Sequence, residues 1–236
     1  MTSQKQSNRI SRRNLLQLGG VGALTMGLGV QLITPNRTLA SEVPDISADQ
    51  ALRKLIQGNR RYISFKRSYP DQDEIRLKTV AQGQHPFAVI LGCADSRVPP
   101  ELLFDQGLGD LFVIRVAGNI LDDGALASIE FATAEIGVPL VIVLGHQRCG
   151  AVKATLDGGE VPGHISRLIE AIKPALAQIQ DQKGERLDNA VRANVKMVVG
   201  QITSSQPVLA DLVQKGKLKV VGGHYALDNG AVEIIA

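Results

Sequence analysis

The stretch VILGCADSRVPP, Val89 to Pro100, runs from a continuous apolar segment directly into a thiol, a carboxylate and a guanidinium. Phe87 to Leu91 is short, rich in β-branched residues and free of polar interruptions, the pattern of a strand covered on both faces. Leu111 to Val116 and Leu140 to Leu144 repeat it, each bounded by glycine or proline. Lys217 to Gly222 predicts a fourth strand. After the turn residues Asp228, Asn229 and Gly230, Ala231 to Ile235 predicts a fifth that hairpins back onto the fourth. Helical periodicity separates the strands over Ala125 to Ile136, Ile165 to Ile179 and Glu185 to Thr203. An amphipathic helix with Ser47 as its N-cap precedes them, placing Ala51, Leu52, Leu55, Ile56 and Ile63 on one side. The expected fold is α/β, a central and mostly parallel sheet of about four parallel strands plus a C-terminal antiparallel edge strand, flanked by helices. In such sheets, sites form at the carboxyl ends of the strands.

The 236 residues suffice for one α/β domain with a substantial core, and 44% hydrophobic against 21% charged residues excludes a disordered or collagen-like chain. The net charge of +3 is misleading. The first forty residues hold five basic residues and no acid, leaving 21 Lys and Arg against 23 Asp and Glu beyond them. That balance gives no nucleic-acid footprint.

The same forty residues read as an address. Arg12 and Arg13 precede a glycine-rich apolar run, and Thr38, Leu39 and Ala40 form a small-residue cleavage site. The string Ser11-Arg12-Arg13-Asn14-Leu15-Leu16 resembles a twin-arginine export signal. An uncleaved anchoring helix is the alternative, since Leu15 to Ile33 carries no charge. The expected organisation is an export signal over residues 1–40 and one domain over 41–236, delivered by export machinery to a periplasm or a thylakoid lumen.

Cys93 follows the first buried strand, and the third ends in His146, Gln147, Arg148 and Cys149, so both cysteines of the chain and one histidine fall at strand carboxyl ends. Cys, His and Cys suit Zn²⁺, and three protein ligands with a fourth position open is a catalytic rather than a structural pattern. A Cys93–Cys149 disulfide suits an exported protein. A thiolate activated by an imidazole is a further alternative. A disulfide has no use for His146, nor for Asp95 and Arg97 beside Cys93. Those two lie two positions apart and project to one side of an extended segment, where they can pair. Arginine then keeps the aspartate an anion able to accept a hydrogen bond from a metal-bound water. Asp95 capping the short helix after Pro99 and Pro100 is the structural alternative. His85, His164 and His224 have no ligand-like spacing and are expected to be surface or hydrogen-bonded polar residues, His224 near a strand end where it could relay protons.

Cys93-Ala94-Asp95-Ser96-Arg97 followed by His146-Gln147-Arg148-Cys149 resembles the zinc site of the β-class carbonic anhydrases. The resemblance runs through GDLFVIRVAGN, Gly109 to Asn119, and LGHQRCGAVKA, Leu144 to Ala154. It implies one zinc per subunit on Cys93, His146 and Cys149, a catalytic dyad of Asp95 and Arg97, and reversible hydration of CO₂ to bicarbonate and a proton. It also implies a substrate pocket of Gln84, Phe112, Ala117 and Phe131, the last standing where the plant-like branch has a tyrosine. Some relatives adopt a closed state in which the aspartate becomes the fourth zinc ligand, here Asp95. A homodimer or higher homo-oligomer is implied as well. Two thiolates offset the metal's charge, so hydration is expected to strengthen above neutral pH. The competing classes are a non-catalytic zinc-stabilised protein, a disulfide-stapled binding module, and a hydrolase of CS₂ on the same fold.

Overall fold

The computed structural model describes residues 46–236. The export signal predicted over 1–40 lies outside the described residues. Among those described, no helix is long and apolar enough to cross a membrane.

Five strands form one sheet: β1 (Ala88–Gly92), β2 (Leu111–Arg115), β3 (Leu140–His146), β4 (Lys219–Tyr225) and β5 (Val232–Ile234), in the order β2-β1-β3-β4-β5. The first four are parallel and β5 runs antiparallel on the edge, as the sequence predicts. Every residue of β1 and β3 is buried, so no polar alternation was available to mark an outer face.

One face of the sheet, with Ala88, Ile90, Leu140, Ile142 and Leu144, is covered by α1 (Ala48–Ile63) and the short α3 (Pro100–Leu103). The opposite face, with Val89, Leu91, Val141 and Val143, packs on α4 (Asp123–Glu130), α7 (Arg186–Ser204) and α8 (Leu209–Gln214). Burying each such Leu or Ile contributes about 1.5–3 kcal/mol. Ser47 caps α1 in a full capping box with Gln50, as its position before the apolar period predicts. Near the other end of α1, buried Asn59 donates to Leu103 O and Gly230 O and accepts from Val232 N, tying the helix to both α3 and the hairpin.

Three boundaries differ from expectation by more than two residues. The helix predicted over Ala125 to Ile136 ends as an α-helix at Glu130 and widens into a π-turn, Phe131–Glu135, where Ile136 N bonds back to Phe131 O. The helix predicted over Ile165 to Ile179 divides into α6 (Ile165–Ile172) and a 3₁₀ segment, Lys173–Ile179, because Pro174 has no N–H to continue the ladder. Strand β4 continues past Gly222 to Tyr225. Its two glycines are not a terminator but an accommodation, since a Cβ on Gly222 would lie 2.6 Å from Val195 Cγ1 of α7. The helices α2 (Glu74–Val80) and α5 (Gly150–Asp157) complete the chain.

Candidate metal centre and catalytic dyad

Parallel β1 and β3 are neighbours in register, so their carboxyl ends deliver Cys93 and His146 to the same place. The chain leaves β3 through a tight turn with Arg148 at φ 52°, and Cys149 stands at the N-terminus of α5. Gln147 N donates to Tyr225 O at 2.9 Å, which extends the β3–β4 pairing and steadies the turn. Outside it, Arg148 pairs with Asp228 through both terminal guanidinium nitrogens, at 3.1 and 2.6 Å. That pair is more than half exposed and contributes little to stability.

The Sγ atoms of Cys93 and Cys149 are 4.0 Å apart, about twice a disulfide bond length, and both thiols are free. Two sulfurs on one tetrahedral zinc at about 2.3 Å would stand roughly 3.8 Å apart. The ligand atoms of Cys93, His146 and Cys149 all lie within 4.8 Å of one another. His146 is fully buried, its Nδ1 is 2.9 Å from Gln147 O, and its Nε2 has no hydrogen-bond partner. A backbone carbonyl can only accept, so Nδ1 carries the proton and the Nε2 lone pair faces the sulfurs. A buried imidazole nitrogen left without a partner is costly in an apo protein. A cation removes that cost, so the donor set fits zinc. The hydrogen bond from Cys149 holds the Cys93 thiol well below its ordinary value against the opposing effect of burial, whereas Cys149 is pushed up by Cys93 and by its own burial. The pair thus shares a proton that a divalent ion would replace.

Asp95 sits on the rim of this group. Arg97 Nε donates to Oδ1 at 2.9 Å, Nη2 to Oδ2 at 2.7 Å, and the Arg97 backbone N–H to Oδ1 at 2.9 Å. The pairing arises from a turn over residues 95–98 rather than from the extended segment expected, and α3 is capped by Pro99 without any contribution from Asp95. The Arg97 side chain, ahead of the opposing effect of partial burial, holds the Asp95 carboxyl well below the usual carboxylate range. Oδ2 lies 3.9 Å from His146 Nε2. Asp95 is therefore beside the prospective ion but engaged by Arg97, not turned in as a fourth ligand.

Sequence reasoning passed over two supports. Arg115, the charged end of β2, donates Nε to Cys93 O at 3.0 Å and Nη2 to Asp95 O at 2.5 Å, clamping the loop that carries ligand and dyad. Gly118 N donates to Cys93 Sγ at 3.2 Å. Gly118 has φ +73°, and a Cβ there would lie 2.7 Å from Ile172 Cδ1, so only glycine fits. A charge closing an apolar strand was the one visible signal for Arg115, while a backbone donor leaves no side-chain trace.

The family model for carbonic anhydrase matches residues 88–232. The chain belongs to the β-class carbonic anhydrase family. A carbonic anhydrase of Mycolicibacterium smegmatis is 39% identical over 196 residues, covering 81% of this chain and 95% of the relative. The β-carbonic anhydrase of Coccomyxa in complex with acetazolamide superposes with a TM-score of 0.64 at 27% identity, covering 78% of this chain and 86% of the other. A tetrameric β-carbonic anhydrase of Sordaria macrospora gives 0.63 at 25% identity over 78% and 96%.

The pocket residues implied by the β-carbonic anhydrase resemblance are placed unevenly. Ala117 is half-buried next to Gly118, and Phe112 lies on β2 in register with Val89, partly buried against the second core cluster. Gln84 is exposed in the loop before β1, and Phe131 is 52% exposed at the start of the π-turn. A single chain thus assembles the ligands and the dyad but leaves Gln84 and Phe131 facing solvent. His85 and His164 are exposed as expected. His224 is buried within β4, its Nε2 2.8 Å from Asp188 Oδ1, and burial lowers its pKa.

Proposed function

We propose that Cys93, His146 and Cys149 hold one zinc ion per subunit and that Asp95 and Arg97 beside it direct the reversible hydration of CO₂ to bicarbonate and a proton. The observation that carries this reading is the partnerless Nε2 of His146 facing two free sulfurs 4.0 Å apart, with an arginine-held carboxylate at their rim. Zinc in that position supplies the nucleophile by acidifying a water molecule. The protein's own part is orientation. Asp95, kept an anion by Arg97, can only accept a hydrogen bond, so it takes the O–H of the attacking water and leaves the oxygen lone pair facing the carbon. Arg115 fixes the backbone on which both Cys93 and Asp95 ride.

The substrate is linear and apolar, and the apolar side chains of Phe112, Ala117 and Phe131 suit it, with the Gln84 amide as a polar handle. Gln84 and Phe131 are exposed in one chain, which supports a homo-oligomer in which a second copy closes the pocket. The tetrameric Sordaria relative supports the same assembly. The twin-arginine-like leader supports export to a periplasm or thylakoid lumen, and a reporter fused behind residues 1–40 that stays in the cytoplasm would contradict it.

The activity is tested by stopped-flow CO₂ hydration with metal analysis on protein purified under reducing conditions, alongside CS₂. Zinc and rate should fall together on chelation and return together on zinc addition. A rate indifferent to chelation, or CS₂ turnover without CO₂ hydration, would overturn the proposal.

A further inference from the structure

We infer that Asn194 is a positioning residue for the metal centre: through the Gly118 carbonyl, it aims the Gly118 amide at the sulfur of Cys93. Asn194 lies in the middle of α7, 1% exposed, among the buried apolar residues Ala190, Val191, Ala193, Val195 and Val198. Its Nδ2 donates to Gly118 O at 2.9 Å, and Gly118 N donates to Cys93 Sγ at 3.2 Å. The opposite amide orientation would set Oδ1 against a carbonyl, so the acceptor fixes which atom points at the turn.

The cost of this arrangement is the argument for its use. Asn194 Oδ1 is buried with no partner, and so is Nδ2 of Asn119, next to Gly118. An alanine or valine at 194 would match the surrounding apolar face and leave no orphan oxygen. Breaches of local rules of this kind concentrate where a site is being held in place. Gly118 stands in a 3₁₀ turn, Ala117–Asn119, with a positive φ. Gly118 O and Gly118 N belong to successive peptides joined at its Cα, so holding the carbonyl fixes the peptide after Gly118 and, through the backbone torsions of that residue, the plane of the one that carries the N–H to the sulfur. An N–H···S bond draws charge from the thiolate, and so sets how much charge Cys93 donates to the ion.

This inference rests on the zinc reading above, and its test separates the two. Protein loaded with Co²⁺ in place of zinc reports each sulfur through its charge-transfer absorption. Asn194→Ala and Asn194→Ser should move the Cys93 band to lower energy and weaken cobalt binding by about 10- to 100-fold. Val195→Ala, a cavity one residue along the same helix, should lower the Tm and leave the band in place. In wild-type protein loaded with ¹¹³Cd, the Gly118 amide proton should show scalar coupling to the metal through sulfur, a readout that needs no variant. A metal-loaded Asn194→Ala with an unmoved band, an equal shift in Val195→Ala, or a missing cadmium coupling would overturn the inference while leaving the zinc reading intact. Wild-type protein that takes up no metal would overturn the zinc reading first.

Discussion

Asp95 Oδ2 lies 3.9 Å from His146 Nε2 yet 2.7 Å from Arg97 Nη2, so the carboxylate borders the ligand group while its hydrogen bonds go to the guanidinium. The position of the carboxylate is therefore set by Arg97, which holds it through Nε, Nη2 and the backbone N–H. Asp95→Asn should retain zinc and lose about 100-fold in kcat/KM for CO₂ hydration, the range of a positioned acid–base group. Arg97→Ala should release the carboxylate and lower the rate as well. Either variant with wild-type kinetics and full metal would remove Asp95 and Arg97 from the mechanism.

Asp105, 3% exposed, anchors the segment after α1 by accepting from Ser68 N, Ser68 Oγ, Tyr69 N and Arg61 Nε. Burial alone would raise its pKa, but these donors outweigh it and leave it lowered. A carboxyl lowered on folding stabilises the protein above its unfolded value of about 3.9, and that contribution is lost as the pH falls through the folded value. Asp105→Ala should cost about 3 kcal/mol in urea unfolding at pH 7, mainly by orphaning buried donors. The gap from wild type should narrow in acid below about pH 4. A gap that widened there would mean the carboxyl is not held ionised.

With sulfurs 4.0 Å apart, oxidation needs only a small movement to form the disulfide that competes with metal. Apo protein treated with diamide should lose both thiols to a thiol reagent and with them its zinc uptake. Zinc-loaded protein should keep both. Equal oxidation with and without zinc would show that the metal does not sit on these sulfurs.

Much of this was legible in the sequence because burial on both sheet faces writes unbroken apolar runs, and β1 and β3 were visible as such. The candidate ligands Cys93, His146 and Cys149 were placed where those runs end, and the structure brings their ligand atoms within 4.8 Å of one another. What escaped notice had no side-chain signature. Helix α2 buries nothing and leaves Ile75 and Leu77 exposed, so it carried no apolar stripe. The predicted strand stopped at Gly222 because the residues that need the small side chains, Val195 against Gly222 and Leu144 against Gly223, lie elsewhere in the chain. The Asp95–Arg97 pair was expected for the wrong local reason: a turn, not an extended strand, brings them together. Arg115, Gly118 and Asn194 act through backbone atoms, which residue types alone do not reveal.

X-ray absorption at the zinc edge tests the central claim most directly, on wild-type protein and on Cys149→Ser. The account predicts two sulfur donors and one imidazole nitrogen per zinc in the wild type, and one sulfur donor fewer, or no zinc at all, in the variant. Zinc with a single sulfur in the wild type, or a spectrum unchanged in Cys149→Ser, would contradict it.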